Sequence, residues 1–224
     1  NAIPISEEEE IRRVVPVIKE LTKIRTREPE SRRTGELASY QISLSPPLPF
    51  SHSSFLISID TYKSKIAKAA REAGADIIND VSGLTMDKEM VNVARDSNCP
   101  IVIMHNNGVP ARRDSACNVS TNKINEIISW LQKQTNYAIE NGVKKENIII
   151  DPGIGFGKTP EEDLSIIENL EEFKTLGYPI LIGHSKKSFI KKIYGKDVDV
   201  NLKTKELTDL AVKNGASIIR IHSN

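Results

Sequence analysis

The sequence predicts an α/β protein of the TIM-type (β/α)8 barrel class, incomplete, with about six parallel strands and helices outside them. Two observations carry this prediction. From Phe55 onward, short β-rich runs alternate with amphipathic helical runs, and polar residues follow nearly every predicted strand. An open doubly wound sheet gathers its site at one switch point, whereas a barrel draws site residues from many strand ends around one mouth. The polar strand ends therefore favour the barrel, although a closed one needs eight strands.

The composition indicates a single domain over residues 1–224. The formal net charge is +1, which gives no reason to expect a nucleic-acid partner. No apolar run approaches the roughly 20 residues of a membrane span, so no membrane partner is expected either. Cys99 and Cys117 form no C-x-x-C pair, and the first residues lack the order of a signal peptide. These features predict a cytoplasmic protein with reduced thiols.

The first predicted element is a helix over residues 7–21. Ser6 and Glu9 have the spacing of a capping box, and apolar residues follow at helical intervals. The stretch 22–54 is rich in arginine, proline and serine, and it predicts no regular element.

Six strands are predicted after this irregular stretch. Gly74 and Gly142 each end a helix that lies between two strands, and Thr159 with Pro160 begins another. The predicted strands lie at 55–59, 76–79, 100–104, 147–150, 179–182 and 216–221.

The glycine-rich segment 151–159 follows an apolar strand and precedes a helix start, which is typical of a binding loop. Two known glycine motifs do not fit it. A P-loop needs a glycine five positions before Gly157, where Pro152 stands. A dinucleotide fingerprint needs a glycine where Lys158 stands. The loop is therefore predicted to bind a ligand through neither nucleotide motif.

Six motifs occur in a fixed order, at 58–62, 77–83, 104–105, 151–159, 183–189 and 220–222. On these residues the sequence resembles the dihydropteroate synthases, which are pterin-binding (β/α)8 barrels of folate biosynthesis. The resemblance covers about 55–222. It implies a transferase that condenses 6-hydroxymethyl-7,8-dihydropterin diphosphate with p-aminobenzoate to give dihydropteroate and pyrophosphate. It also implies Mg²⁺ as a cofactor and these two small molecules as substrates.

The resemblance further implies roles for individual residues. Ser188 is expected to bind the carboxylate of p-aminobenzoate, and Arg220 and His222 to bind pyrophosphate. Lys187, Arg220 and His222 form the expected catalytic set. A pterin presents a flat edge of donors and acceptors, which fixed carboxylate, amide and ammonium groups can match. The expected pterin-binding residues are Asp60, Asn79, Met104, Asp151, Phe156, Lys187 and Arg220.

The sequence also departs from the family. The family's first two strands, with a metal-binding asparagine in the first loop, have no counterpart here, so no metal ligand is assigned. The stretch 22–54 does not align with the family, its closing helix is absent, Ser223 replaces an aspartate, and Lys186 replaces an arginine. Three expectations stay open: a fragment of a longer enzyme, a gap covered by the irregular stretch, or a gap covered by a second chain. The family commonly forms homodimers.

Two further functions remain open at this point. One is a related pterin-binding methyltransferase that hands a methyl group from a folate to a corrinoid protein. The other is a noncatalytic pterin-binding remnant, suggested by the missing first loop. The loop containing Phe156 and the run 185–188 favour the synthase. Taken singly, Asp60 and Asn79 are also typical of strand-end caps and turns.

Overall fold

The structure is a computed structural model, and it describes residues 5–27, 55–108 and 122–222. In these ranges the helices are α1 Glu7–Arg27, α2 Ser64–Ala73, α3 Met90–Asp96, α4 Lys123–Glu140, α5 Pro160–Glu168, α6 Ser188–Tyr194 and α7 Val200–Lys213. The strands are β1 Ser58–Asp60, β2 Ile77–Asp80, β3 Ile101–Met104, β4 Ile148–Asp151, β5 Leu181–Ile182 and β6 Ile218–Ile219. Two short 3₁₀ helices span Lys145–Asn147 and Leu170–Leu176.

The strands are parallel and follow one another in chain order. β1 to β4 form one sheet, β5 pairs with β6, and a bridge between Ile150 and Ile180 joins the two groups. Arg220, just after β6, comes within 3.5 Å of Asp60 at the end of β1. The strand ends thus curl toward a ring, as in the predicted barrel. In the described ranges no pairing of β1 with β6 closes that ring.

Alternate strand residues face two different cores, because side chains alternate along a strand. One set packs against the helices: Ile59, Ile78, Ile101, Ile103, Ile148 and Ile150. The other set forms a smaller inner cluster of Val102, Ile149 and Leu181, with Ile77 and Ile218 partly buried beside it. Residues two positions further along the strands share this inner face: Asn79, Met104, Asp151, Gly183 and Arg220. The fold therefore collects polar groups on the inner face at the carboxyl ends.

Helix α1 begins where the sequence predicts and ends later. The backbone N–H of Glu9 donates to Ser6 Oγ at 3.2 Å, which confirms the serine half of the capping box, whereas the Glu9 carboxylate pairs with Arg12 and Arg13. The predicted end at residue 21 is wrong, since the helix runs to Arg27. The added turns are held by tertiary contacts, because Arg25 pairs with Asp76, which also accepts from Ile57 N at 2.8 Å. The remaining part of the irregular stretch, 28–54, lies outside the described residues.

The other predicted strands and helix ends are present, with shifted bounds. All six predicted strands are present, although β1 begins at Ser58 and β6 is confined to Ile218–Ile219. Gly74 follows α2 with a left-handed φ of 112°. Thr159 caps α5 and Pro160 opens it, as predicted.

We expect the Thr159→Ala substitution to lower the free energy of unfolding by about 1 kcal/mol. Thr159 Oγ1 accepts from Glu162 N at 3.1 Å, and the Glu162 carboxylate accepts from Thr159 N at 2.8 Å. Alanine removes the first of these bonds. Thr159→Ser keeps the hydroxyl and should stay close to wild type in urea unfolding. Equal losses in the two variants would contradict the capping role.

Candidate active site

A cavity of about 270 Å³ lies at the carboxyl ends of the strands. It is lined by Asp60, Val81, Phe156, Gly183, Ser185, Lys187, Arg220 and His222. Five residues that the resemblance assigned to the site thus share one cavity: Asp60, Phe156, Lys187, Arg220 and His222. They come from four separate segments of the chain, which only the curled sheet brings together.

Asp60 and Asn79 end neighbouring strands and contact each other. They are paired in the β1–β2 register, and the Asn79 amide donates to the Asp60 carboxylate. Asn79 is buried, and its Oδ1 has no hydrogen-bond partner among the described residues. A buried amide oxygen without a partner is costly, so Asn79 Oδ1 is suited to accept from a bound ligand.

Asp151 is a buried carboxyl group at the end of β4. It accepts from Gly153 N at 2.7 Å, and Met104 lies beside it in the β3–β4 register. Burial raises the pKa of Asp151, while the Gly153 N–H and the cations of Arg220, Lys187 and Lys158 lower it. Asp151 is therefore a fixed acceptor in a cationic environment.

Lys187 lies over the glycine loop. Its ammonium is 4.5 Å from the centre of the Phe156 ring and donates to the Ile154 carbonyl. Gly155 makes this approach possible, because it has φ +78° and a Cβ there would lie 2.9 Å from Lys187 Cδ. Burial lowers the pKa of Lys187, whereas the nearby Asp151 raises it. The loop thus holds a partly buried cation at the edge of the cavity.

Arg220 packs directly on Gly183. A Cβ at Gly183 would lie 2.9 Å from both Nε and Nη2 of Arg220. Two residues after Arg220, His222 N donates to Ser185 Oγ at 3.3 Å, which links the chain after β6 to the chain after β5. Gly183 belongs to one of the sequence motifs. Only the structure shows that a side chain at this position would clash with Arg220.

Ser188 is set apart from the main cavity. It is exposed at the start of α6, one residue after Lys187. It lines a separate, smaller cavity of about 130 Å³, together with Gly155, Lys158, Thr159, Pro160, Asp163, Phe189 and Lys192. Its assignment to p-aminobenzoate stays a prediction.

Three residues near the site were given no role by the sequence. Lys158 donates to the Gly153 carbonyl at 2.7 Å, and Asp163 accepts from Gly155 N at 2.7 Å. His105 N donates to the Asp151 carbonyl at 2.8 Å, and its ring contacts Trp130 edge-on at 5.0 Å. Lys158 belongs to the predicted loop motif. Its hydrogen bond to the backbone of the same loop could not be predicted from the spacing of the residues.

The described residues do not fit the Mg²⁺ that the resemblance implies. They contain no group of three or more His, Cys, Asp and Glu side chains that could hold a metal ion. Asp60 faces Arg220, and Asp151 faces three cations, so neither carboxylate offers the oxygen cluster that Mg²⁺ requires.

In the described ranges, the helices are too short or too polar to cross a lipid bilayer.

Known proteins resemble this chain in sequence and in structure. The profile of a family described as pterin binding enzyme matches residues 48–222. A dihydropteroate synthase from Clostridium beijerinckii is 39% identical over 220 residues, which cover 97% of this chain and 68% of that protein. The chain spans 58% to 68% of the length of three curated relatives.

Two solved structures extend the likeness to the fold. A dihydropteroate synthase from Stenotrophomonas maltophilia, with imidazole in its active site, superposes with a TM-score of 0.80 at 31% identity, covering 98% of this chain and 72% of that one. A dihydropteroate synthase from Clostridium difficile, solved in the presence of pteroic acid, gives a TM-score of 0.77 at 32% identity, covering 100% and 72%.

We expect His105 to make the protein sensitive to acid. Burial, together with the smaller effect of the Lys158 and Lys123 cations, lowers the pKa of His105 to about 2. An unfolded histidine titrates near 6.5, so below that pH the unfolded state binds more protons and stability falls as the pH falls. Between pH 6.5 and pH 5 the loss from this group is about 2 kcal/mol.

The His105→Phe substitution keeps a ring against Trp130 and should remove this part of the acid sensitivity. The measurement is the free energy of unfolding in urea at pH 7 and pH 5. Burial also lowers the pKa of His184, so a smaller dependence of the same sign should persist in the variant. An unchanged difference between the two pH values would contradict the prediction.

Proposed function

Since the chain belongs to the dihydropteroate synthase family of pterin-binding enzymes, we propose that it condenses 6-hydroxymethyl-7,8-dihydropterin diphosphate with p-aminobenzoate. The reaction gives dihydropteroate and pyrophosphate for folate biosynthesis. One observation carries the proposal beyond the comparisons. The buried amide of Asn79 bonds to Asp60 at the cavity, and the buried carboxyl group of Asp151 lies within the electrostatic influence of Lys187 and Arg220, which line that cavity.

The pterin ring accounts for the polar groups on the inner face. Its edge carries an exocyclic amine and ring N–H groups, for which Asp151 and Asn79 Oδ1 supply acceptors. Its carbonyl and ring nitrogen acceptors face a donor in Lys187. Its flat faces match Phe156 and Met104, together with the planar guanidinium of Arg220.

The cations explain how the chain would promote the reaction. The bond between the exocyclic methylene carbon and the diphosphate oxygen breaks, a bond from the methylene carbon to the amine nitrogen of p-aminobenzoate forms, and that nitrogen releases a proton. Negative charge develops on the departing diphosphate, where Arg220 and His222 would stabilise it. The electron-rich pterin delocalises positive charge at the methylene carbon. No protein nucleophile is needed.

Several parts of the resemblance stay predictions. They are the Mg²⁺ cofactor, the homodimer, the cytoplasmic location, the extent of the domain over 1–224, and the p-aminobenzoate role of Ser188. A noncatalytic pterin-binding protein is the second candidate function. It is favoured by the side chains of the described ranges, which do not offer the oxygen cluster that the expected Mg²⁺ requires.

We expect Lys187→Ala and Arg220→Ala each to reduce turnover about 100-fold, because each removes a cation that stabilises bound pterin or departing diphosphate. Turnover is measured with p-aminobenzoate and added Mg²⁺. Lys191→Ala, which changes an exposed lysine of α6, is the matched control and should behave as wild type. Circular dichroism checks that the variants fold. Unchanged turnover in both site variants would refute the assignment, and pterin binding without any product in wild type would favour the noncatalytic protein.

We expect Gly183→Ala to impair turnover by displacing Arg220, with little effect on unfolding. The added methyl would lie 2.9 Å from two guanidinium nitrogens, so the side chain must shift. A double-mutant cycle tests this reason. In the Arg220→Lys background the guanidinium is gone, and adding Gly183→Ala should cost little more. Equal losses in both backgrounds would show that Gly183 acts independently of Arg220.

A further inference from the structure

The ammonium of Lys158 lies under the glycine loop and hydrogen-bonds to the loop's own backbone. It donates to the Gly153 carbonyl at 2.7 Å and lies 3.5 Å from the carbonyl oxygens of His105 and Phe156. These three carbonyls belong to the end of β3 and to both arms of the loop. One ammonium therefore ties the loop to the neighbouring strand end.

Asp163 fixes the same loop from the side of α5. It is buried, and its carboxylate accepts from Gly155 N at 2.7 Å. Between the two anchors lies Ile154, whose carbonyl accepts from Lys187, and beyond Gly155 lies the Phe156 ring under the Lys187 ammonium. The position of Lys187 thus depends on a loop held by Lys158 and Asp163.

Titratable groups on several elements surround Lys158. They are Asp163 on α5, Asp151 at the end of β4, Lys123 at the start of α4, Lys187 after β5 and His105 after β3. Burial lowers the pKa of Lys158 to about 7, against the opposing effect of the two carboxylates. Burial raises the pKa of Asp163 to about 6, and Glu162 acts in the same direction. Lys158 and Lys187 oppose this rise. The charge on Lys158 also favours the ionised form of Asp151.

We propose that Lys158 is a positioning residue for the pterin cavity, with Asp163 as the second anchor of the loop. Lys158 lines the smaller cavity beside Ser188 rather than the cavity of Asp60 and Arg220, so its effect on the pterin passes through the loop and through Asp151. This inference rests on the proposed pterin-binding function.

The test compares pterin affinity in variants of the full chain, with 6-hydroxymethylpterin as the probe in calorimetry. Lys158→Met keeps a side chain of similar length but removes the ammonium. It should weaken pterin binding about tenfold or more. Asp163→Asn keeps an acceptor for the Gly155 N–H and should change binding less than about threefold. Asp163→Ala removes that acceptor and should weaken binding more than Asp163→Asn does. Lys191→Met is the control for loss of an exposed lysine.

A pH profile separates positioning from a merely structural role. Without the Lys158 charge, the pKa of Asp151 should rise, so the loss of pterin affinity on acidification should begin at a higher pH in Lys158→Met than in wild type. If Lys158→Met does not fold, Lys158→Arg and Lys158→Gln give the comparison, with arginine expected to retain more affinity than glutamine.

The outcomes are distinguishable. The positioning role would be overturned if Lys158→Met, or both Lys158→Arg and Lys158→Gln, bound the pterin with the affinity and pH profile of the wild type. The proposed function would still stand in that case. A wild-type chain that does not bind the pterin would overturn both.

Discussion

The buried carboxyl group of Asp151 is the constraint around which the site is arranged. A buried carboxylate is costly unless donors and cations surround it. Here the Gly153 N–H bonds to it directly, and Lys158, Lys187 and Arg220 bring positive charge near it. These groups come from the loop after β4 and from the ends of β5 and β6, so satisfying one acid requires much of the sheet edge to be in place. The same arrangement leaves Asp151 able to accept from a planar ligand.

The cations can approach because the backbone gives them room. Lys187 crosses Gly155 and Arg220 crosses Gly183, and a Cβ at either glycine would lie 2.9 Å from the crossing side chain. Through this close packing, the glycine loop contacts Lys187 after β5, and the end of β5 contacts Arg220 after β6. A change at Lys158 or Asp163, below the loop, is therefore transmitted to the ligand-facing side through the backbone around Ile154.

The inner face is apolar at its base and polar at its mouth. Val102, Ile149 and Leu181 fill the base, and the next inward residues along the strands are polar or glycine at most strand ends. At β1 the inward residues Ser58 and Asp60 are exposed, whereas Ile59 is buried against the helices. In the described ranges, β1 is therefore packed against the helices on its outer face, while its inner face is exposed. The contact of Arg220 with Asp60 spans that opening by side chains alone.

Local sequence rules determined the six strands, the Ser6 and Thr159 caps, and the helix ends at Gly74 and Gly142, because these depend on residues a few positions apart. The motifs also contained five of the assigned residues that line the cavity, Asp60, Phe156, Lys187, Arg220 and His222. Tertiary structure decided the rest. Helix α1 extends to Arg27 because Arg25 pairs with Asp76. Ser188 lines a different cavity from Arg220, and Lys158 bonds to carbonyls that no motif specifies. Contacts between distant segments and backbone atoms leave no periodic trace in a sequence.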